Sequence, residues 1–171
     1  MNRAWIQLPN LDKACFACGT ENNLGLKMTF SSNGNQLRSI LTVPEHTRGW
    51  SNLVHGGILA TILDEIMSWT AIQLTSHFIL TRNVNIEFKK PVFIGSQLTA
   101  TGEIIERSEK NATLSAQIQD DSGVLCCTGR SSFALFTQEE FARMNIIPEN
   151  YIAEMAANFT KIGSNDCLSS S

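Results

Sequence analysis

The stretch HGGILATILDEIMSWTAIQLT, residues 55–75, decides the fold. From Gly57 to about Thr75 it contains good helix formers and no proline, and apolar residues recur on nearly all sides of a helix. A helix that is apolar on most sides has to be buried on most sides. The stretch therefore predicts one long central helix that the rest of the chain must cover.

The segments on either side of this helix have the composition of β-strands separated by polar turns. The candidate strands are residues 24–30 and 36–43 before the helix, and 80–88, 97–107, 111–120 and 124–136 after it. One helix can bury its sides inside a single curved sheet. We therefore predict an α+β fold in which an antiparallel sheet of about five to six strands wraps around the central helix.

The chain has the length of one domain, and its two ends differ in composition from its middle. Two short amphipathic patterns, residues 138–145 and 148–159, indicate helices after the last strand, and small polar residues follow them. We predict an N-terminal lead-in at 1–14, a folded domain at 15–136, a C-terminal helical extension at 137–160 and a disordered tail at 161–171.

Charge and hydropathy exclude two classes of partner. A formal net charge of −3 leaves no excess of lysine and arginine for a nucleic-acid surface. Asp, Glu, Gln or Thr interrupts each apolar stretch well before the roughly 20 residues that a membrane helix needs. The N-terminal MNRAWIQLPNLDKA also lacks the apolar core of a signal peptide. We therefore expect a cytoplasmic protein without nucleic-acid or membrane partners.

Two acidic residues, Asp64 and Glu65, lie in the middle of the apolar helix. An ionised carboxylate is costly in apolar surroundings, so one explanation is an exposed stripe that keeps the acids in water. The other explanation is a functional site, because desolvated acids concentrate at such sites.

Helical spacing favours a site at Asp64. Gly57, Ala60, Thr61 and Asp64 follow the i, i+3, i+4, i+7 pattern and share one face of the helix. In the first turn, backbone N–H groups lack intrahelical acceptors and the helix dipole is positive, and the paired glycines Gly56 and Gly57 let a ligand approach closely. An acyl carbonyl fits this face, with its oxygen at the Gly57 N–H and its carbon within reach of Asp64.

Three motifs also resemble one protein family. LVHGGILATILDEIMSW (53–69) resembles the signature of the PaaI-like hotdog-fold acyl-CoA thioesterases, with Asp64 nine residues after His55. TRNVNIEFKKPV (81–92) resembles a strand motif of that family, and CFACGTENNLGL (15–26) resembles the lead-in of one of its branches. The motifs follow the family's order and cover about residues 15–136.

The resemblance implies hydrolysis of an acyl-CoA thioester, with coenzyme A as part of the substrate and with no cofactor. Asp64 would be the general base or the nucleophile, and the Gly57 N–H would polarise the thioester carbonyl. His55 would shape the turn that holds the oxyanion and could contact the thioester, and Thr81 of the facing subunit would hold the attacking water.

The chain departs from the family six residues before His55. Many relatives have Asn or Gln there, whereas this chain has Gly49. Asn52 is the nearest amide along the chain and is the candidate to replace it.

Five further residues are candidates for contact with the substrate: Gly56, Glu65, Asn83, Lys89 and Lys90. Lysines bind phosphate groups as point charges, so the lysine pair could contact the phosphates of coenzyme A. A lysine pair at a strand end is more often only a solvated rim, and Glu65 could equally pair with a hydrogen-bond donor of the protein.

The resemblance places the substrate tunnel at a dimer interface. A single curved sheet also leaves an edge strand exposed, and pairing with a second chain would cover it. We expect a homodimer at minimum, and a tetramer built as a dimer of dimers.

The motif CFACG (15–19) raises the question of a metal site. Zinc needs three or four ligands, and this motif supplies two. No second Cys-x-x-Cys and no His-x-x-x-His follows, and Cys126 and Cys127 alternate faces of a strand, so at most one could turn towards the pair. No βαβ pattern supports a thioredoxin-like dithiol. We therefore expect Cys15 and Cys18 to be small buried side chains, with no metal.

Two other functions remain open at this level. A hotdog protein could bind or sense acyl-CoA without hydrolysing it, which the glycine at position 49 would favour. A hotdog dehydratase of 3-hydroxyacyl thioesters would need a different motif, usually with a proline-rich turn, which EHTRGWSNLVHGG (45–57) lacks. The acyl group stays unassigned, because one methylene changes binding by only about 1–3 kcal/mol.

Overall fold

The computed structural model, which describes residues 4–163, has one long helix packed against one antiparallel sheet. The strands are β1 (Ile6–Gln7), β2 (Ser31–Ser32), β3 (Gln36–Thr42), β4 (Phe78–Phe88), β5 (Gln97–Arg107), β6 (Asn111–Asp120) and β7 (Leu125–Phe136). The helices are α1 (Gly56–Thr75), α2 (Gln138–Arg143) and α3 (Glu149–Gly163).

The sheet order is β1-β2-β3-β5-β6-β7-β4, and each neighbouring pair is antiparallel. The predicted α+β hotdog fold is confirmed. The described residues form seven strands rather than five to six, because two strands of only two residues extend the edge at β3. Strand β4 lies at the opposite edge and pairs with β7 alone.

The prediction of a strand at residues 24–30 is wrong. Instead of joining the sheet, this segment bonds to the turn before it: the Leu26 N–H donates to the Phe16 carbonyl and the Met28 N–H donates to the Ala17 carbonyl. Lys27 has a φ of 51°, which is incompatible with a regular strand. The lead-in therefore folds onto itself before the chain enters β2.

Helix α1 buries its apolar side chains against the sheet. Leu59, Ile62, Leu63, Ile66 and Met67 are buried, whereas Gly57, Ala60, Thr61 and Asp64 are exposed or only partly buried. The predicted small face thus remains accessible to a ligand. No helix among the described residues is long and apolar enough to cross a membrane.

The C-terminal helices pack on a second apolar cluster formed by Phe78, Phe141, Ile152 and Phe159. The Phe78 and Phe141 rings stack with their centroids 4.8 Å apart. Helix α3 extends through Gly163, so it continues into the predicted disordered tail; residues 164–171 of that tail lie outside the described residues.

Candidate active site

The start of α1 is capped by a histidine. His55 has extended backbone angles, and its Nδ1 accepts a hydrogen bond of 3.0 Å from the Gly57 N–H. An accepting Nδ1 carries no proton, so the proton of the neutral ring is on Nε2. The Gly57 N–H is therefore already paired, and a thioester oxygen would have to replace the imidazole to use it.

Gly56 supplies a second donor at the same helix start. Among residues 4–163, its N–H forms no hydrogen bond, and the residue lines a cavity of about 330 Å³. A Cβ atom built at Gly56 would lie 3.4 Å from the Phe88 ring, an ordinary van der Waals contact, so this ring lies directly beside the helix start. The unpaired N–H at the helix start thus belongs to Gly56, which lines the cavity, rather than to Gly57.

The glycine that departs from the family pattern has a structural reason. A Cβ atom at Gly49 would lie 3.1 Å from the Cα of His55, closer than nearly all real contacts. Backbone hydrogen bonds hold this loop, with the Gly49 N–H donating to the Leu53 carbonyl and the His55 N–H to the Thr47 carbonyl. Gly49 therefore lets the loop pass against the helix cap.

Asp64 lies two turns into α1 and is paired with Thr81. The Thr81 hydroxyl donates to Asp64 Oδ1 over 3.2 Å. Helix α1 ends at Thr75, Ser76 adopts a left-handed conformation with a φ of 56°, and β4 then runs back beside the helix. Burial raises the pKa of Asp64, and the hydrogen bond from Thr81 partly lowers it. A carboxylate with a raised pKa is a stronger base.

The contact of Thr81 with Asp64 lies within one chain. The reversal at Ser76 makes this contact possible, because it returns β4 alongside its own helix. The role of Thr81 at the site of a facing subunit, which the resemblance implied, stays a prediction.

Glu65 does not point into this site. Its Oε1 accepts a hydrogen bond of 3.1 Å from Trp69 Nε1 and lies 3.8 Å from Cys15 Sγ. Adjacent helical residues differ by about 100° around the axis, so the two acids face different surroundings. Burial is the main reason that the pKa of Glu65 is raised to about 7.

The cavity beside the helix start is apolar on one side and basic on the other. It is lined by Leu53, Val54, Gly56, Leu59, Phe88, Lys89, Lys90, Pro91 and Val92. Lys89 forms a 2.7 Å ion pair with Glu87, whereas Lys90 forms no ion pair within residues 4–163. Lys90 is thus the lysine whose charge is available to a ligand.

Two predicted amides lie outside this group. Asn83 Nδ2 donates to Ser132 Oγ over 2.7 Å, which ties the amide to β7. The Asn52 carbonyl accepts from the Ile94 N–H, and its side chain has no hydrogen bond to Asp64 or Gly57. Sequence reasoning found Asp64 and the paired glycines, and the resemblance gave His55 a role in shaping the helix start. That His55 caps the helix through its side chain was not predicted, because histidine is not among the usual N-cap residues.

Comparison with known proteins finds a family match in the part of the chain that carries these residues. The family model of the thioesterase superfamily matches residues 51–127, which contain the histidine cap, the helix and Thr81. This part of the chain is therefore similar to the thioesterase superfamily.

A named protein of known sequence is also similar to this chain. A bovine protein named acyl-coenzyme A thioesterase THEM4 is 26% identical over 61% of this chain. This chain spans only 43% of the length of that relative.

Two solved structures of thioesterase-like proteins share the fold. The E. coli PaaI protein from the phenylacetic acid degradation operon has a TM-score of 0.60 at 18% identity, covering 65% of this chain and 80% of its own. A hypothetical thioesterase from Streptococcus pneumoniae, solved with coenzyme A, has a TM-score of 0.57 at 20% identity, covering 59% of this chain and 81% of its own.

Proposed function

We propose that this protein is a thioesterase that hydrolyses an acyl-CoA thioester to a free carboxylic acid and coenzyme A. The observation that carries the proposal is the partly buried Asp64, held by the Thr81 hydroxyl at 3.2 Å on the helix whose first turn borders a cavity. A carboxylate, a hydroxyl and a free N–H group at the helix start are what attack of water on a carbonyl requires.

The reaction assigns each group a task. Asp64 takes a proton from water as the water oxygen bonds to the thioester carbon, or its carboxylate attacks that carbon to form a mixed anhydride that water then hydrolyses. The carbonyl oxygen becomes negative and is stabilised by the N–H of Gly56, and by that of Gly57 once His55 Nδ1 releases it. The carbon–sulfur bond then breaks, and the thiolate of coenzyme A leaves and takes up a proton.

The cavity supports coenzyme A as the carrier. Its apolar wall suits the pantetheine and the first carbons of an acyl chain, and Lys90 lies at its basic side, where phosphates would be bound. The bovine relative that is named an acyl-CoA thioesterase and the S. pneumoniae structure with coenzyme A support this substrate class. We place the protein in the cytoplasm as a homodimer or a dimer of dimers.

Thiol release from a panel of acyl-CoAs of graded length, with aryl members, tests the proposal. Asp64→Asn should lower kcat by about 10²–10⁴-fold and leave KM nearly unchanged, because the carboxylate acts mainly in the transition state. Asp121→Asn, in the exposed turn between β6 and β7, is the matched control and should leave kcat unchanged. Absence of thiol release from the whole panel would refute hydrolysis.

One observation favours a second candidate, a non-catalytic acyl-CoA binding protein. The Gly57 N–H is already paired with His55, and no amide occupies the position of Gly49. Calorimetric binding of an acyl-CoA without thiol release, unchanged in Asp64→Asn, would select this candidate.

A further inference from the structure

The lead-in brings a second set of reactive groups onto α1. Cys15 Sγ, Cys18 Sγ and a carboxylate oxygen of Glu65 all lie within 4.8 Å of one another. Cys18 is buried, with 3% of its surface exposed, and Cys15 and Glu65 are partly buried. The CFACG motif by itself supplies two metal ligands, Cys15 and Cys18. Helix α1 supplies a third, Glu65.

The spacing of these atoms is close to that around a tetrahedral zinc ion. Zinc binds thiolate at about 2.3 Å and carboxylate at about 2.0–2.2 Å, so tetrahedral ligand atoms lie roughly 3.5–4 Å apart. The Cys15 Sγ to Glu65 Oε1 distance of 3.8 Å already falls in that range. The ligand atoms are at most 4.8 Å apart, so side-chain rotations that move them by about 1 Å would bring every pair to the tetrahedral spacing.

The turn that carries the two cysteines is built to hold them in place. The Gly19 N–H donates to the Cys15 carbonyl over 2.9 Å. A Cβ atom at Gly19 would lie 2.5 Å from the carbonyl oxygens of both Cys15 and Lys13, so any other residue would force the turn open. The tight turn that carries the two cysteines therefore requires glycine at position 19.

Two carboxylates lie at this cluster, and neither has a cationic partner among residues 4–159. Glu65 and Asp12 take part in none of the ion pairs formed by those residues, and Asp12 Oδ1 accepts a hydrogen bond from the Cys15 N–H. A partly buried carboxylate is costly unless a positive charge balances it, and a cation bound between Glu65 and the two sulfur atoms would supply that charge. Trp69 Nε1 holds Glu65 Oε1 at 3.1 Å, as groups outside the first coordination shell hold metal ligands.

We propose that Cys15, Cys18 and Glu65 bind one zinc ion, with a water molecule as its fourth ligand. The ion would clamp the lead-in to the middle of α1, since Cys15 and Glu65 are 50 residues apart along the chain. This site does not depend on the proposed hydrolysis, and its test needs no acyl-CoA. A disulfide between Cys15 and Cys18 is the alternative, and its formation would leave no thiolate to bind zinc.

Metal analysis of the full chain, purified without chelator, is the first test. We expect one zinc ion per chain in the wild type and in Cys126→Ala, a control at a buried cysteine of β7. We expect its loss in Cys15→Ala and in Glu65→Gln. Trp69→Phe keeps the ring but removes the N–H, and should weaken zinc binding by about 10–100-fold.

Titration of the chelator-treated wild type with Co²⁺ gives a test that does not depend on how the variants fold. We expect thiolate-to-cobalt charge-transfer bands and the visible bands of tetrahedral Co²⁺, both removed by one equivalent of Zn²⁺. Absence of these bands, zinc retained in Cys15→Ala, or a Cys15–Cys18 disulfide that persists in glutathione would each overturn the proposal.

Discussion

At His55, a helix cap and the proposed reaction compete for the same N–H. Its Nδ1 accepts from Gly57, and the same donor is the one that an oxyanion would use. His55→Ala should lower the free energy of unfolding by about 1 kcal/mol, the usual effect of losing an N-cap.

His55→Asn separates the two roles, because asparagine caps helices well but has no imidazole. We expect chemical denaturation to show nearly wild-type stability for His55→Asn. If kcat also stays at the wild-type value, His55 acts as a cap; a stable variant with low kcat would show that the ring takes part in the reaction.

Thr81 is a second residue whose role can be isolated. Its hydroxyl donates to Asp64 Oδ1, so Thr81→Val should lower kcat by about tenfold, the effect of losing one hydrogen bond to a charged group. Thr81→Ser keeps the donor and serves as the control. Equal kcat in Thr81→Val and the wild type, measured by thiol release at saturating substrate, would contradict this assignment.

For individual residues, the sequence predicted the features that follow from helical periodicity. Asp64 and Gly57 share a helical face because of their spacing, and the paired glycines marked the helix start. The contacts of Glu65 with Cys15 and of Asp64 with Thr81 join residues distant along the chain, and only the folded topology brings them together.

The long strands and the central helix were predictable because hydrophobic pattern and turn residues agree there. The strands at 97–107 and 111–120 have the predicted bounds. The segment at 24–30 carries a strand-like composition, yet it lies beside the turn at Cys15–Gly19, whose carbonyls take its N–H groups before a sheet can. The local sequence pattern cannot show that carbonyl groups of this turn are available as hydrogen-bond acceptors in place of a neighbouring strand.

The packing of α1 on β5 depends on a glycine. A Cβ atom at Gly102 would lie 2.6 Å from Thr70 Oγ1 and 3.2 Å from the Ile66 carbonyl oxygen, both in the buried part of the helix. Gly102→Ala should therefore lower stability by about 1–3 kcal/mol through overpacking.

Gly129→Ala on β7 provides the comparison for that prediction. Its Cβ would meet only the flexible side chains of Leu63 and Met67, at 3.3–3.4 Å, so it should cost less than Gly102→Ala. Denaturant midpoints of the two variants and the wild type check the order, and a Gly129→Ala variant less stable than Gly102→Ala would contradict it.

The whole sheet has two very different edges. One ends in β1, which has two residues, and the other in β4, which has eleven. Residues 80–85 of β4 are all exposed, and its outer backbone has no partner strand within residues 4–163. A long uncovered edge of this kind favours pairing with another strand, and a second copy of the chain offers one of equal length.

We therefore predict that β4 pairs with β4 of a second chain. Val84 is 38% exposed on this strand. If two β4 strands pair antiparallel, a lysine at position 84 of each chain would bring two positive charges close together. Val84→Lys should shift the mass measured by light scattering from a dimer, or a dimer of dimers, towards the monomer. Ile6→Lys places the same charge on the other edge, at a residue that is 56% exposed, and should leave the mass unchanged. A dimer that withstands Val84→Lys but dissociates in Ile6→Lys would place the interface at β1 instead.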